Sequence, residues 1–91
     1  MTIAARYRSQ DGRYSAHAEY KGWSIEIATA YSIDVDAYPV VVYAAPVGRQ
    51  LERVGRSGPP GSTKDEALDI GLAFAQAHVD EQAQTSSIRA Q

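Results

Sequence analysis

The chain contains no cysteine, which excludes a disulfide framework, a thiolate zinc site and a cysteine nucleophile. It has no apolar run near the roughly 18 to 20 residues that span a bilayer. Its opening stretch, Met1 to Arg8, lacks the basic-then-apolar order of a signal peptide. The expectation is a cytoplasmic protein without membrane contact. Bulky aliphatic residues are scarce as well. Leu, Ile, Val and Phe number seventeen of 91 residues, and fifteen of the remaining hydrophobic residues are alanine. A composition this thin borders on disorder, but disorder also takes high net charge, and the net charge here is -2. Six tyrosines and Trp23 add bulk. A chain of this length supports one core, so a single small folded domain is expected.

Charge is distributed unevenly. Residues 1–14 carry Arg6, Arg8 and Arg13 against Asp11, whereas 64–91 carry Asp65, Glu66, Asp69, Asp80 and Glu81 against Lys64 and Arg89. Between these ends lie two alternating runs. In Trp23 to Thr29 the residues Trp23, Ile25, Ile27 and Thr29 fall on one face, with Ser24, Glu26 and Ala28 on the other. In Tyr14 to Tyr20, Tyr14, Ala16, Ala18 and Tyr20 stand opposite Ser15, His17 and Glu19. Only Lys21 and Gly22 separate the runs, which predicts a tight hairpin in which Gly22 takes a positive φ. A third run, Tyr38 to Ala45, is apolar on both faces and β-branched in its middle, and reads as a strand covered on both sides. Gln50 to Val54 either extends the sheet as a short fourth strand or forms loop. Asp11-Gly12 offers a further hairpin that would pair residues 3–8 with the strand after it. The alternative is a flexible segment, and the boundaries adopted are 1–13 flexible, 14–82 a single α+β domain, and 83–91 a disordered tail.

Thr63 to Glu66 has capping-box spacing, with the threonine hydroxyl taking the Glu66 amide and the Glu66 carboxylate reaching back to the threonine amide. Asp65 and Glu66 also suit the positive end of the helix dipole. Ala67, Ile70, Gly71, Phe74, Ala75 and His78 then share a face flanked by Leu68, Leu72 and Val79. This predicts an amphipathic helix of about five turns lying on the sheet. The small-residue row Ala67, Gly71, Ala75 admits a close approach, with Trp23 as the candidate to fill the space opposite.

The chemical motifs are weak. Gly55 to Lys64 precedes a helix but lacks Gly-Lys followed by Ser or Thr. Pro59 and Pro60 remove two amide donors, and Asp65 and Glu66 repel an anion, so the stretch reads as a connector. His17 and His78 have no third ligand spaced to join them. His17 reads as solvated, and His78 as partly buried and hydrogen-bonded. Asp34 and Asp36 lack the glycine and the closing glutamate of a calcium loop and read as solvated acids. No cofactor is expected. Arg49, Arg53 and Arg56 form a locally basic patch, and Arg6, Arg8 and Arg13 form a second one with Tyr7 and Tyr14 nearby. Basic residues interleaved with aromatics hold phosphates and stack on bases.

The order of three strands followed by Gly61 to Leu68 and a helix resembles three groups of proteins. In layout it is similar to small uncharacterised bacterial β-β-β-α domain proteins, on the Lys21-Gly22-Trp23 turn and on Thr63, Glu66, Ala67 and Leu68. That likeness covers residues 14–82 and implies no activity. The helix opening Thr63 to Leu68 is also similar to that of HicB-type antitoxins, which implies partner binding, although their Pro-Asp-Leu-Pro-Gly stretch has no counterpart here. Finally, Thr63 and Lys64 resemble the first two phosphate-clamp positions of double-stranded-RNA-binding domains. Asp65 stands where that family has a second lysine and Leu68 where it has a third.

The resulting expectation is an α+β fold, a three-stranded antiparallel meander with one C-terminal amphipathic helix packed on one face. The expected function is that of a non-enzymatic domain that binds a protein partner or itself. Weak, largely non-specific nucleic-acid binding is the alternative. With one helix available, the second apolar set of the third run, Val41, Tyr43 and Ala45, is the candidate interaction face, engaged by face packing or, at its free strand edge, by strand addition. It is covered either by another molecule or by the N-terminal segment folding back with Ile3 and Tyr7.

Overall fold

The structure, a computed structural model, describes residues 5–56 and 60–89, with side chains for 5–54 and 60–83. Among the described residues the chain forms β1 (Ala5–Gln10), β2 (Arg13–Tyr20), β3 (Trp23–Ala30), β4 (Val40–Pro46), β5 (Glu52–Arg56) and α1 (Lys64–Arg89). The strands make one antiparallel sheet in sequence order, and the helix packs on one of its faces. The α+β meander with a C-terminal helix is therefore present, with five strands where the sequence led us to expect three or four.

The extra strand at the start comes from turn chemistry. Asp11 and Gly12 sit at φ 51° and 78°, and Lys21 and Gly22 at φ 50° and 79°. Both pairs have the two consecutive positive φ values of a type I′ hairpin, whose twist matches that of the flanking strands. Tyr20 thus pairs with Trp23 and Gln10 with Arg13. Residues 5–10 are an edge strand rather than part of a flexible segment. The fifth strand carries a bulge: Val42 pairs with Gly55 and Tyr43 with Arg53, so Val54 has no partner and packs toward the core.

Register divides the sheet into two faces. Ala16, Ile25, Ile27, Thr29, Val40, Val42 and Ala44 meet Ala67, Leu68, Leu72, Ala75 and Val79 of α1 in one buried layer. Ile25, Ile27, Val42 and Val79 are the large side chains fully removed from water, each worth about 1.5 to 3 kcal/mol. Thr29, the one buried polar residue among those described, donates its hydroxyl proton to the Pro39 carbonyl at 2.7 Å. Gly71 faces the sheet as expected, but the side chains opposite are Ile27 and Val40. Trp23 lies farther along, its ring edge-on to His78 at 6.0 Å. Trp23 is at the end of β3, beyond the reach of the small-residue row, which is why it does not fill that space.

Thr63 caps α1 by accepting the Glu66 amide at 3.1 Å, while the Glu66 carboxylate accepts from the Ser62 amide at 3.2 Å instead of the Thr63 amide. The helix continues to Arg89, well past the expected boundary at 82, because no glycine or proline after Gly71 stops it. Its residues 83–89 are therefore helical rather than tail. α1 rests on β2, β3 and β4 and reaches neither outer strand, so Tyr7 on the helix side of β1 stays 61% exposed. No described helix is long and apolar enough to cross a membrane.

Candidate functional site

The face opposite α1 is where the two arginine-rich segments meet. With two-residue turns at 11–12 and 21–22, the register runs in rows: Arg6, His17, Glu26, Tyr43 and Arg53 form one, and Arg8, Ser15, Ala28 and Val41 the next, ending on the Arg56 position. Arg13 adds to the same face beside Ala30. Arginine positions thus stand on the outer strands, about 19 Å apart at the 4.8 Å strand spacing, with His17, Glu26 and Tyr43 between them in the first row and small or apolar residues in the second.

Four described arginines, Arg6, Arg8, Arg13 and Arg53, lie on this face against two acids, Glu19 and Glu26. Glu26 is already engaged by His17, whose Nε2 stands 3.3 Å from the carboxylate. The opposite charge collects elsewhere, as Asp65, Glu66, Asp69, Asp80 and Glu81 on α1 and as Asp34 and Asp36 on the β3–β4 connection. A chain of net charge -2 therefore presents a cationic face, and such segregation steers anionic partners.

A broad cleft of about 1220 Å³ lies on this face. Arg8, Asp11 and Arg13 line one side, Ser15, His17 and Glu26 the middle, Ala28, Ala30 and Val41 the floor, and Tyr31 and Ser32 its end. Val41 and Tyr43 are half-buried and contribute surface, whereas Ala45 is 4% exposed and offers none. Among the described residues the N-terminal segment extends the sheet edgewise as β1 instead of covering this face, with Tyr7 on the helix side, and Ile3 lies outside them. The expected loop of Arg49, Arg53 and Arg56 is divided. Arg49 sits in the β4–β5 turn, its amide donating to the Pro46 carbonyl at 3.0 Å, while positions 53 and 56 belong to β5. The side chain of Arg56 lies outside the described residues.

The His17–Glu26 pair was missed in the sequence although the signal was there. A two-residue turn at 21–22 pairs every two residues whose numbers sum to that of Tyr20 and Trp23, and His17 and Glu26 satisfy this. His78, by contrast, packs against Trp23 on the helix side, remote from the cleft. At the far end of the sheet Lys21 meets Asp80 at 2.7 Å, and the Tyr20 hydroxyl donates to the same carboxylate at 3.0 Å. The Lys21 hydrogen bond, then that from Tyr20, holds the Asp80 carboxyl below its ordinary range, and Asp80 in turn raises Lys21.

Beside the cleft the β3–β4 connection forms an ordered tip. Ser32 and Ala37 pair through backbone bonds of 2.8 and 3.4 Å, and the Tyr31 hydroxyl donates to Asp36. Tyr31 packs edge-on against Tyr38 at 5.7 Å, and Tyr38 against Tyr14 at 6.4 Å. Out of this brace project Ile33, 84% exposed, and Val35, 56% exposed. The described residues define an α+β protein with a cationic open sheet face. No family model, curated protein or solved structure matches the chain.

Proposed function

We propose that this protein is a non-enzymatic binding module that docks a protein segment bearing acidic and apolar side chains on its open sheet face. The observation that carries the reading is the placement of Arg8 and Arg13 beside a floor of Ala28, Ala30 and Val41, on a sheet face that also carries Arg6 and Arg53. Guanidinium groups bind carboxylates through paired hydrogen bonds, and the small apolar floor accommodates alternate side chains of an extended segment. Face docking is favoured over edge pairing. β1 is a short edge strand with Arg6 and Arg8, and β5 is bulged, and both features discourage strand addition. Single-stranded nucleic acid fits less well, because stacking of successive bases takes a platform of aromatics. On the strand positions of this face Tyr43 is the one aromatic besides the His17 imidazole, which is paired with Glu26.

The test is an amide chemical-shift titration with an eight-residue peptide of alternating glutamate and leucine, and in parallel with oligothymidylate. The peptide is expected to perturb Ser15, Ala28, Val41 and Tyr43, and the double variant Arg8→Glu/Arg13→Glu to weaken its binding at least tenfold. Perturbation by oligothymidylate alone, or shifts confined to the helix side, would overturn the reading.

A further inference from the structure

The occupant of the cleft can be specified further, on the basis of the function just proposed. We infer that it is the β3–β4 tip of a second copy of this chain, so that two molecules exchange tips across a two-fold axis.

The tip has the chemistry the cleft asks for. Ile33-Asp34-Val35-Asp36 alternates apolar and acidic side chains, and all four are exposed. The cleft offers Arg8 and Arg13 beside the apolar Ala28, Ala30 and Val41; of the two acids that also line it, Glu26 is paired with His17 and Asp11 sits in the β1–β2 turn. An isoleucine that is 84% exposed at an ordered turn is a costly surface for a protein with so few bulky aliphatics, and exposed apolar groups on a braced scaffold mark contact sites. The Ser32–Ala37 pairing and the Tyr31–Tyr38 packing hold the tip in shape, so docking it loses little conformational entropy.

Position supplies the second argument. Tyr31 and Ser32 line the end of the cleft, so tip and cleft adjoin on one molecule. Adjacent complementary surfaces suit an isologous, closed two-fold pair, in which each tip enters the other's cleft. Docking the acidic outer side of α1 onto the cationic face would instead join opposite sides of the molecule and propagate without closing. With two short tips as the main contacts, the dissociation constant is expected on the order of 100 μM.

Sedimentation velocity up to roughly 1 mM protein, at about 20 mM and 500 mM sodium chloride, provides the test. The wild type is expected to form dimers that weaken at high salt. Ile33→Lys, which replaces the apolar contact with a charge like that of Arg8 and Arg13, and Arg8→Glu/Arg13→Glu should each remain monomeric. Mixed in equal amounts, the two variants should form heterodimers, because each altered tip then faces an oppositely charged cleft while each natural tip faces a natural one. All three positions are exposed, and circular dichroism checks that the variants fold. A wild type that stays monomeric throughout, an Ile33→Lys variant that dimerises like the wild type, or folded variants that fail to associate when mixed would overturn the inference. If the wild type is monomeric yet the glutamate–leucine peptide still binds the cleft, the binding module stands and only the identity of its occupant falls. If neither occurs, both fall.

Discussion

Replacing Gly71 with alanine sets two effects of opposite sign against each other. In a solvated helix the change would stabilise by about 1 kcal/mol through helix propensity. Here a Cβ would lie 2.3 Å from Ile27 Cγ2, 2.9 Å from Val40 Cγ1 and 3.3 Å from Ile27 Cδ1. Ile27 is fully buried and Val40 5% exposed, and the nearest atoms are on β-branched side chains held in central strands, which have little rotamer freedom. The helix must therefore lift from the sheet. Overpacking of this kind costs roughly 1 to 3 kcal/mol; a 2.3 Å approach to a fixed side chain belongs to the upper part of that range, about 2 to 3 kcal/mol, so less the propensity gain the expected net loss is about 1 to 2 kcal/mol. For a domain of this size that lowers Tm by about 4 to 16 °C. Urea and thermal unfolding followed by far-ultraviolet circular dichroism measure it. A double-mutant cycle localises the cause. Ile27→Ala removes the clashing methyl, so Gly71→Ala should cost less in that background, whereas Ile27→Val retains the methyl and should give no relief. A Gly71→Ala variant more stable than the wild type would show that α1 does not approach β3 this closely.

Two further expectations concern the start of the helix and its contact with the β2–β3 turn. Thr63→Ala removes the acceptor for the Glu66 amide and should destabilise by about 1 kcal/mol; an unchanged urea midpoint would mean that the cap contributes nothing. The Asp80 carboxyl is held below its ordinary pKa by Lys21 and Tyr20. Its stabilisation is therefore present above the unfolded carboxyl pKa and is lost as pH falls through the lower folded one. Asp80→Asn should flatten the acid limb of the stability profile below about pH 4, and an acid limb identical to that of the wild type would refute the link. Lys21, raised by the same pair, contributes below its ordinary pKa and loses its share only in strong alkali.

What the sequence by itself determined was local. Period-two alternation in 14–20 and 23–29, the Lys21-Gly22 turn and the Thr63 to Glu66 cap are each encoded within a few residues, so the central hairpin, the helix start and the sheetward face of Gly71 were legible. Hairpin register even placed His17 beside Glu26, had it been counted out. β1 was less legible because its residues from Arg6 to Gln10 are all exposed and carry no hydrophobic contrast; only the Asp11-Gly12 turn marks them as a strand. The helix outlasted its apolar face for the complementary reason, since nothing in 83–89 breaks it.

Tertiary structure alone decided the rest. Ile27 and Val40 lie opposite Gly71 because the crossing of α1 over β3 and β4 sets which side chains meet, and no local pattern encodes that crossing. Arginines separated by some forty residues share one face because strand order brings β1 and β5 to opposite edges of the same sheet. The sheet thereby sorts charge that the chain scatters. Arg6, Arg8, Arg13 and Arg53 collect on the face that the helix leaves open, which is the property on which the proposed binding rests.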